Sequence, residues 1–400
     1  MLTSFTLSGP IGTDALSVSI RCTIDATKPS SFCVEGAALS SVQSKEIAVR
    51  VRSAILSSDL CAWPAGRVTI VVESDAAKLQ ASPLDLPIAL AIAGIDVSDL
   101  LVAGELGLDG AVRPVRGTLQ AAILAKTLGL RGVLVPTQNA REALEVIDGT
   151  AAVHAIARLS EITGAIAVPA ARSTQTIPSR AVADFSDVRG QDKAIAAIEQ
   201  TVKTRAGLLL SGAPGTGKTM IARRIPSVLP RMQRDAQLEV TRVYSALGLT
   251  DSLVTERPFR APHHTISTAA LTGATRRPGE VHLAAHGVLF LDEASEFSGG
   301  AIEALAQTLR GMPAESRPLV VASVNPCPCG WQNSAVRACS CSDDTVARYT
   351  ARVVWIAAKL GLTITATVNP VSVDDLRGPA GESSASIAGR ITVSTIEAAS

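Results

Sequence analysis

Apolar positions recur along this chain with two different periods. From Ile47 to Ser58 they return at helical spacing and leave Lys45, Arg50 and Arg52 for a polar face. Arg67–Glu73 (RVTIVVE) is instead a β-branched run of strand length. Leu84–Ile95 and Thr118–Leu128 read as buried helices, and Gly132–Pro136 as a short strand stopped by its proline. The pattern predicts an α+β domain over residues 1–165. Between Val168 and Arg180 all periodicity is lost in a stretch of Pro, Ala, Ser and Thr, which marks a linker over 166–183. Beyond it, Gln191–Thr204 reads as a helix, Gly207–Leu210 as a strand and Lys218 to about Val228 as a second helix. Gly287–Leu291 and Leu319–Val324 are further buried strands. Strands alternating with helices predict an α/β domain over 184–375 built on a parallel, doubly wound sheet, with residues 376–400 opening a further region.

Composition narrows the class. The 400 residues exceed what one core holds, and 47% apolar with 18% charged residues describes a globular chain. Aromatics make up only 3%, so the cores must be built from Ala, Val, Leu and Ile. A net charge of +1 gives no global footprint for nucleic acid and leaves a local basic patch open. Met1–Pro10 lacks the charged start and apolar run of a signal peptide. The richest apolar run, Leu86–Val97, is interrupted by Gly94 and Asp96 and is too short to span a membrane. A cytoplasmic protein without membrane partners is expected.

Ser211–Thr219 fits the phosphate-loop pattern G-x-x-x-x-G-K-[ST] at every fixed position. Gly212, Ala213, Pro214, Gly215, Thr216, Gly217, Lys218 and Thr219 are the candidate nucleotide contacts. Glycines let backbone N–H groups converge on phosphate, Lys218 can reach the β- and γ-phosphates of ATP, and the Thr219 hydroxyl can ligate Mg²⁺. The apolar run Val288–Leu291 delivers Asp292 to the same metal and Glu293 to the attacking water. Asn325, at the end of the third strand, reads either as a γ-phosphate or water contact or as a turn former. Lys218, Glu293 and Asn325 are therefore the candidate catalytic residues. Cys327, Cys329, Cys339 and Cys341 stand as two C-x-C pairs, tighter than the usual C-x₂-C. They read either as a structural Zn²⁺ site or as unligated thiols. His263 and His264 read as part of a loop.

Several longer words carry a family resemblance. They are Arg257–Thr265 (RPFRAPHHT), Arg277–Glu280 (RPGE), Gly287–Glu293 (GVLFLDE) and Asn325–Gly330 (NPCPCG). In the first half they are Val49–Ile55, Asp85–Leu90, Gly104–Gly110 and Arg113–Gly117. Together they resemble the magnesium-chelatase-like AAA+ ATPases of the ComM (YifB) type over nearly the whole chain. The resemblance implies a Lon-protease-like domain over 1–165, an AAA+ module over 184–375 and a homo-hexameric ring motor. Its activity would be ATP-driven branch migration of DNA. At the positions of the Lon serine and lysine the chain carries Asp85 and about Leu119, with Ser82 and Lys126 outside the matching words, so no protease dyad is expected. Three departures concern turnover. Lys359 stands where the family places an arginine that reaches a neighbour's nucleotide; only Arg310–Pro318 is left for a pore hairpin; and the family's C-terminal helical domain, with its sensor arginine, would follow Gly381–Ala385. The alternatives are an ATP-binding protein with weak or no hydrolysis, and a chelatase-type ATPase subunit that serves metal insertion into a porphyrin.

Overall fold

Alternate residues of Leu2–Ser8 (β1) enter different cores, Leu2 one and Phe5 with Leu7 another, as the two-residue period of a strand demands. The chain is seen here in a computed structural model. It describes all residues except 9–11, 37–38, 77–78, 80–81, 148–150, 168–182, 276, 334–336, 373, 375–376 and 398–400, so the expected linker lies mostly outside the described residues. Contacts divide the chain into two compact units, Met1–Thr176 with Thr241–Leu253 and Thr275–Arg277, and Ile177–Val240 with Val254–Ala274 and Pro278–Ser400.

In the first unit β1 is followed by β2 (Asp14–Asp25), β3 (Ser31–Glu35), helix α1 (Ser41–Ser57), β4 (Arg67–Glu73), α2 (Asp85–Ala93) and β5 (Leu100–Val102). A small ribbon of β6 (Glu105–Leu106) and β7 (Val112–Arg113) precedes α3 (Thr118–Thr127), β8 (Gly132–Pro136), α4 (Ala140–Leu144), β9 (Ala152–Ile156) and α5 (Ile162–Ala167). Seven strands form a mixed sheet in the order β3-β4-β2-β1-β5-β8-β9. The β1–β2 and β2–β4 pairs are antiparallel, and the β1–β5, β5–β8 and β8–β9 pairs are parallel. The strands expected at Arg67–Glu73 and Gly132–Pro136 have those bounds. Helix α1 begins earlier than the apolar period suggests, because Ser40 caps it: its side chain accepts from Gln43 N–H while the Gln43 carboxamide accepts from Ser40 N–H.

Asp85 opens α2 and is fully buried. Its carboxylate is gripped by Arg50 of α1, Nε to Oδ2 at 2.6 Å and Nη2 to Oδ1 at 3.1 Å. Burial nevertheless pushes Asp85 up to about 6, against the opposing pull of that guanidinium. Leu119 is fully buried in α3, and Lys126 lies in the last turn of that helix. The segment Thr241–Leu253 falls inside the 184–375 span in chain order, yet it packs within the first unit. Gln120 Nε2 donates to Arg242 O at 2.6 Å, and Ser245 Oγ donates to Gln120 Oε1 at 3.1 Å.

The second unit contains α6 (Asp192–Thr204), β10 (Leu208–Ser211), α7 (Lys218–Ala222), the start of α8 (Arg234–Ala246), β11 (Phe259–Arg260), α9 (Thr268–Thr272) and α10 (Glu280–Leu283). It continues through β12 (Val288–Leu291), α11 (Gly299–Gly311), β13 (Leu319–Val324), α12 (Asp343–Leu360), β14 (Ile364–Thr367) and a helix at Ser384–Glu397. Five strands, parallel at every pairing, run in the order β11-β12-β13-β10-β14. Leu208, Leu210, Phe290 and Val321 enter one core, and Leu209, Leu289, Leu291 and Ala322 enter the other, so both faces of the sheet are covered. The helix expected from Lys218 to about Val228 is shorter. It stops at Ala222, and Ile225–Val228 is a 3₁₀ turn, because Pro226 has no N–H to continue the ladder.

The unit is stitched where the chain enters it. Asp184 Oδ1 accepts from Ser186 N–H at 2.8 Å and from Ser384 N–H at 3.3 Å, Phe185 N–H donates to Ser384 Oγ at 2.9 Å, and Gly381 N–H donates to Ser186 O at 2.8 Å.

The Arg50–Asp85 pair sets a pH-dependent expectation. Arg50→Met leaves a buried carboxylate alone and is expected to cost about 3 kcal/mol near neutral pH. The Asp85 carboxyl already binds its proton more tightly folded (about 6) than in its ordinary state (3.8), and loss of the guanidinium raises it further. The folded state then holds the extra proton below that raised value, so the cost is full above it and shrinks as pH falls through it. Urea unfolding of both chains at about pH 7.5 and about pH 5 measures this; a cost independent of pH contradicts it.

Candidate functional site

Three adjacent parallel strands end side by side. Ser211 of β10 stands in register with Val324 of β13, and Leu291 of β12 with Ala322 of β13. The residues that follow each strand are therefore brought together at its carboxyl end, where open parallel sheets place their ligands. After β10 comes the loop Gly212–Gly217. Gly215 (φ 80°) and Gly217 (φ 95°) take left-handed backbone that favours glycine. At Gly212 a Cβ would stand 2.4 Å from Val368 O and 2.8 Å from Thr216 Oγ1, so only glycine fits there.

Lys218 opens α7, and its ammonium is turned back into the loop. Nζ donates to Gly212 O at 2.6 Å, Ala213 O at 3.0 Å and Asn325 Oδ1 at 3.2 Å. Burial holds its pKa below the usual lysine range, against the pull of Asp292 and Glu293. Thr219 Oγ1 donates to Asp292 Oδ2 at 2.8 Å, so the hydroxyl and carboxylate singled out for a metal lie side by side. Glu293 is exposed, and its backbone is left-handed (φ 51°). The structure thus brings Lys218, Thr219, Asp292 and Asn325 into one connected group, with Glu293 next to it.

One residue of this group is missing from the reading of the sequence. Ser323, fully buried in β13, donates to Asp292 Oδ1 at 2.5 Å and accepts from Glu293 N–H at 2.9 Å. The only signal for it is a hydroxyl in the otherwise apolar run LVVASV. Tyr349 of α12 is a second: its hydroxyl lies 3.2 Å from Ser295 Oγ and hydrogen-bonds the Asn325 backbone.

The four late cysteines converge. Their sulfurs all lie within 4.8 Å of one another, and among the described residues they are the one His, Cys, Asp and Glu cluster close enough to share a metal. Backbone N–H groups of Ser340 and Trp331 hold the Cys329 thiol down to about 5. Cys339 and Cys341 are shifted the other way, upward, so the case for a metal is the convergence of the four sulfurs, a donor set that suits a soft cation. His263 and His264 lie with ring centroids 4.1 Å apart and planes tilted by 33°, and His263 Nδ1 meets Thr265 Oγ1 at 2.8 Å. Lys359 is exposed, with Nζ 4.0 Å from Glu303 Oε1 and 5.9 Å from the Trp355 ring centroid. Arg310–Pro318 forms the end of α11 and a turn, over which Arg205 donates to the Arg317 carbonyl at 3.3 Å.

The family described as magnesium chelatase, subunit ChlI, matches residues 184–370, and that described as subunit ChlI of Mg-chelatase matches residues 20–139. YifB of Escherichia coli is 32% identical over 376 residues, covering 87% of this chain and 73% of YifB. The chain belongs to the ComM/YifB-type magnesium-chelatase-like family. The competence protein ComM of Haemophilus influenzae is 34% identical over 302 residues, covering 70% of this chain and 57% of ComM. An uncharacterized protein of Mycobacterium tuberculosis is 36% identical over 327 residues, covering 75% of this chain, and the chain spans 64% of that relative's length. The longer family match contains the phosphate loop, Asp292, Glu293, Ser323, Asn325 and all four clustered cysteines of this ComM/YifB-type chain; the other contains Arg50 and Asp85. No described helix is long and apolar enough to cross a membrane.

Ser323→Ala leaves Oδ1 of the half-buried Asp292 and the Glu293 N–H without this partner. Unfolding by denaturant is expected to show a loss of about 1–3 kcal/mol; an unchanged midpoint would mean that the hydroxyl holds neither group.

Proposed function

We propose that the chain binds ATP with Mg²⁺ at Gly212–Thr219 and hydrolyses it as one subunit of an AAA+ ring motor, a cytoplasmic homo-hexamer acting on DNA in branch migration. One observation carries this reading: Lys218 meets Asn325 at 3.2 Å and Thr219 meets Asp292 at 2.8 Å, at the ends of neighbouring parallel strands. The Thr219 hydroxyl and Asp292 carboxylate are hard oxygen donors, and they fit Mg²⁺. Bound there, Mg²⁺ supplies positive charge beside the β- and γ-phosphates. Lys218 gives up the Gly212 and Ala213 carbonyls and places its ammonium on those phosphates. Asn325 orients the γ-phosphate or the attacking water. Glu293, exposed beside the group, accepts the proton of that water. Ser323 keeps Asp292 and the Glu293 backbone in place. The competence protein among the relatives supports DNA as the partner. Zn²⁺ is the metal the four cysteines suit best.

Residues 1–165 are read as a Lon-protease-like domain without a dyad, serving assembly or partner binding. The burial of Asp85 against Arg50 supports this, since it puts an engaged carboxylate at the position of the nucleophile. A second reading, ATP binding with weak or no turnover, is favoured by Lys359, which faces Glu303 and Trp355 and lacks the fork of an arginine. A third, a chelatase-type ATPase subunit, is favoured by the description of both matching families.

Nucleotide binding and turnover, measured separately with and without branched DNA, decide among them. Lys218→Ala is expected to abolish binding, and Glu293→Gln to retain binding while turnover falls by about 10²-fold or more. Tight binding without DNA-stimulated turnover sinks the motor reading and leaves the second. Stimulation by a metal and porphyrin, and not by DNA, favours the third.

A further inference from the structure

The cysteine cluster lies against the phosphate loop. Cys327 Sγ is 3.4 Å from Cys329 Sγ and 3.6 Å from Cys339 Sγ, and Cys329 and Cys339 are 3.5 Å apart. These separations approach the roughly 3.8 Å edge of a tetrahedron with metal–sulfur bonds of about 2.3 Å. Cys327 is fully buried, and its sulfur accepts from Gln332 N–H at 3.3 Å.

The cluster joins two segments that bracket Asn325. Cys327 and Cys329 follow it directly at the end of β13, while Cys339 and Cys341 lead into α12, whose first turn is capped by Ser342. From α12, the Tyr349 hydroxyl bonds the Asn325 backbone, and the Asn325 side chain accepts from Lys218. The turn between the first two cysteines and the rest closes with Gly330 N–H donating to Cys327 O at 2.9 Å. Gly330 is left-handed (φ 84°), and a Cβ placed on it would stand 2.6 Å from Cδ and 2.8 Å from Cγ of Pro214. The ring of a phosphate-loop residue therefore rests on the backbone of the cysteine turn.

We propose that a divalent metal of the zinc class, held by Cys327, Cys329, Cys339 and Cys341, clamps Asn325 and the Pro214 face of the phosphate loop, so that metal loading sets nucleotide affinity. The metal is thus a positioning element for the nucleotide site, and the inference rests on the reading of Gly212–Thr219 as that site. The ligand set has one role in folding, joining β13 to α12, and a second in holding the loop at the distance Lys218 requires.

The test uses the full chain, loaded with Zn²⁺ or stripped by chelator, with Co²⁺ as spectroscopic probe and a fluorescent ATP analogue as ligand. Four-thiolate cobalt absorption is expected, and stripping should weaken analogue binding about tenfold, roughly 1.4 kcal/mol, with recovery on adding Zn²⁺. Cys339→Ser with Cys341→Ser should show the same loss without recovery. Gly330→Ala separates positioning from folding: it should keep the cobalt spectrum and far-ultraviolet dichroism yet bind the analogue more weakly. Absent thiolate–cobalt bands, unchanged affinity after stripping, or unchanged affinity in Gly330→Ala with metal retained each overturn the proposal. In those cases Lys218→Ala still abolishes binding. If Lys218→Ala binds as well as the unaltered chain, the nucleotide reading itself has failed, and the clamp with it.

Discussion

Asp292 leaves β12 at its carboxyl end and is held there by hydroxyls from two other segments, Thr219 at 2.8 Å on one oxygen and Ser323 at 2.5 Å on the other. The carboxylate is half-buried, so these hydrogen bonds replace water it has lost. They also hold three chain segments in mutual register: the helix after β10, the carboxyl end of β13 and the turn after β12. Ser323 extends the arrangement to the Glu293 N–H, which lets a residue with a side chain sit in left-handed backbone. The positions of Lys218, Glu293 and Asn325 all follow from this one set of contacts.

The parallel sheet makes such convergence natural. Its inner strands β10, β12 and β13 are short, aliphatic and covered on both faces, so along them polar atoms are tolerated chiefly at the ends. Ser323 is the exception: it is a buried hydroxyl one turn of the pleat before the strand end, and both its hydrogen bonds are made to the site. Three phenylalanines stand at joints of the same unit. Phe259 and Phe290 stack across β11 and β12 with centroids 5.9 Å apart, and Phe297 is buried beneath the turn that follows Glu293.

The parts of this structure visible in the sequence are those whose cause is local. RVTIVVE is a strand because β-branched side chains favour the extended backbone, and it appears with the expected bounds. The glycine spacing of 212–217 requires backbone that other residues resist, so the loop reads directly from composition. The β1–β2 hairpin is less legible. DALSVSIRCTID buries Val18 and Ile20 in alternation, but Leu16 and Ile24 are exposed, so apolarity does not mark the buried face along its whole length. Ser323 and Tyr349 escape because their importance arises from partners 31 and 54 positions away in the chain. The cysteine cluster is intermediate: the pairs are plain, while their closeness depends on α12 returning to the end of β13. Nor does the pattern reveal that Thr241–Leu253 packs with the first unit, since its helix α8 is continuous with residues of the second.

The stitching of Asp184, Phe185 and Ser186 to Gly381 and Ser384 joins positions 200 apart in the chain. Closing so long a loop costs chain entropy, but that cost grows only logarithmically with length. Topologically, the second unit is therefore close to a ring, with its point of departure and its point of return sharing one carboxylate. A ring has no privileged starting point. New termini could be opened in an exposed turn of this unit, and 397 joined to 184 by a bridge long enough to run back along the helix Ser384–Glu397, about 20 Å, without asking the sheet or its site to find a different path.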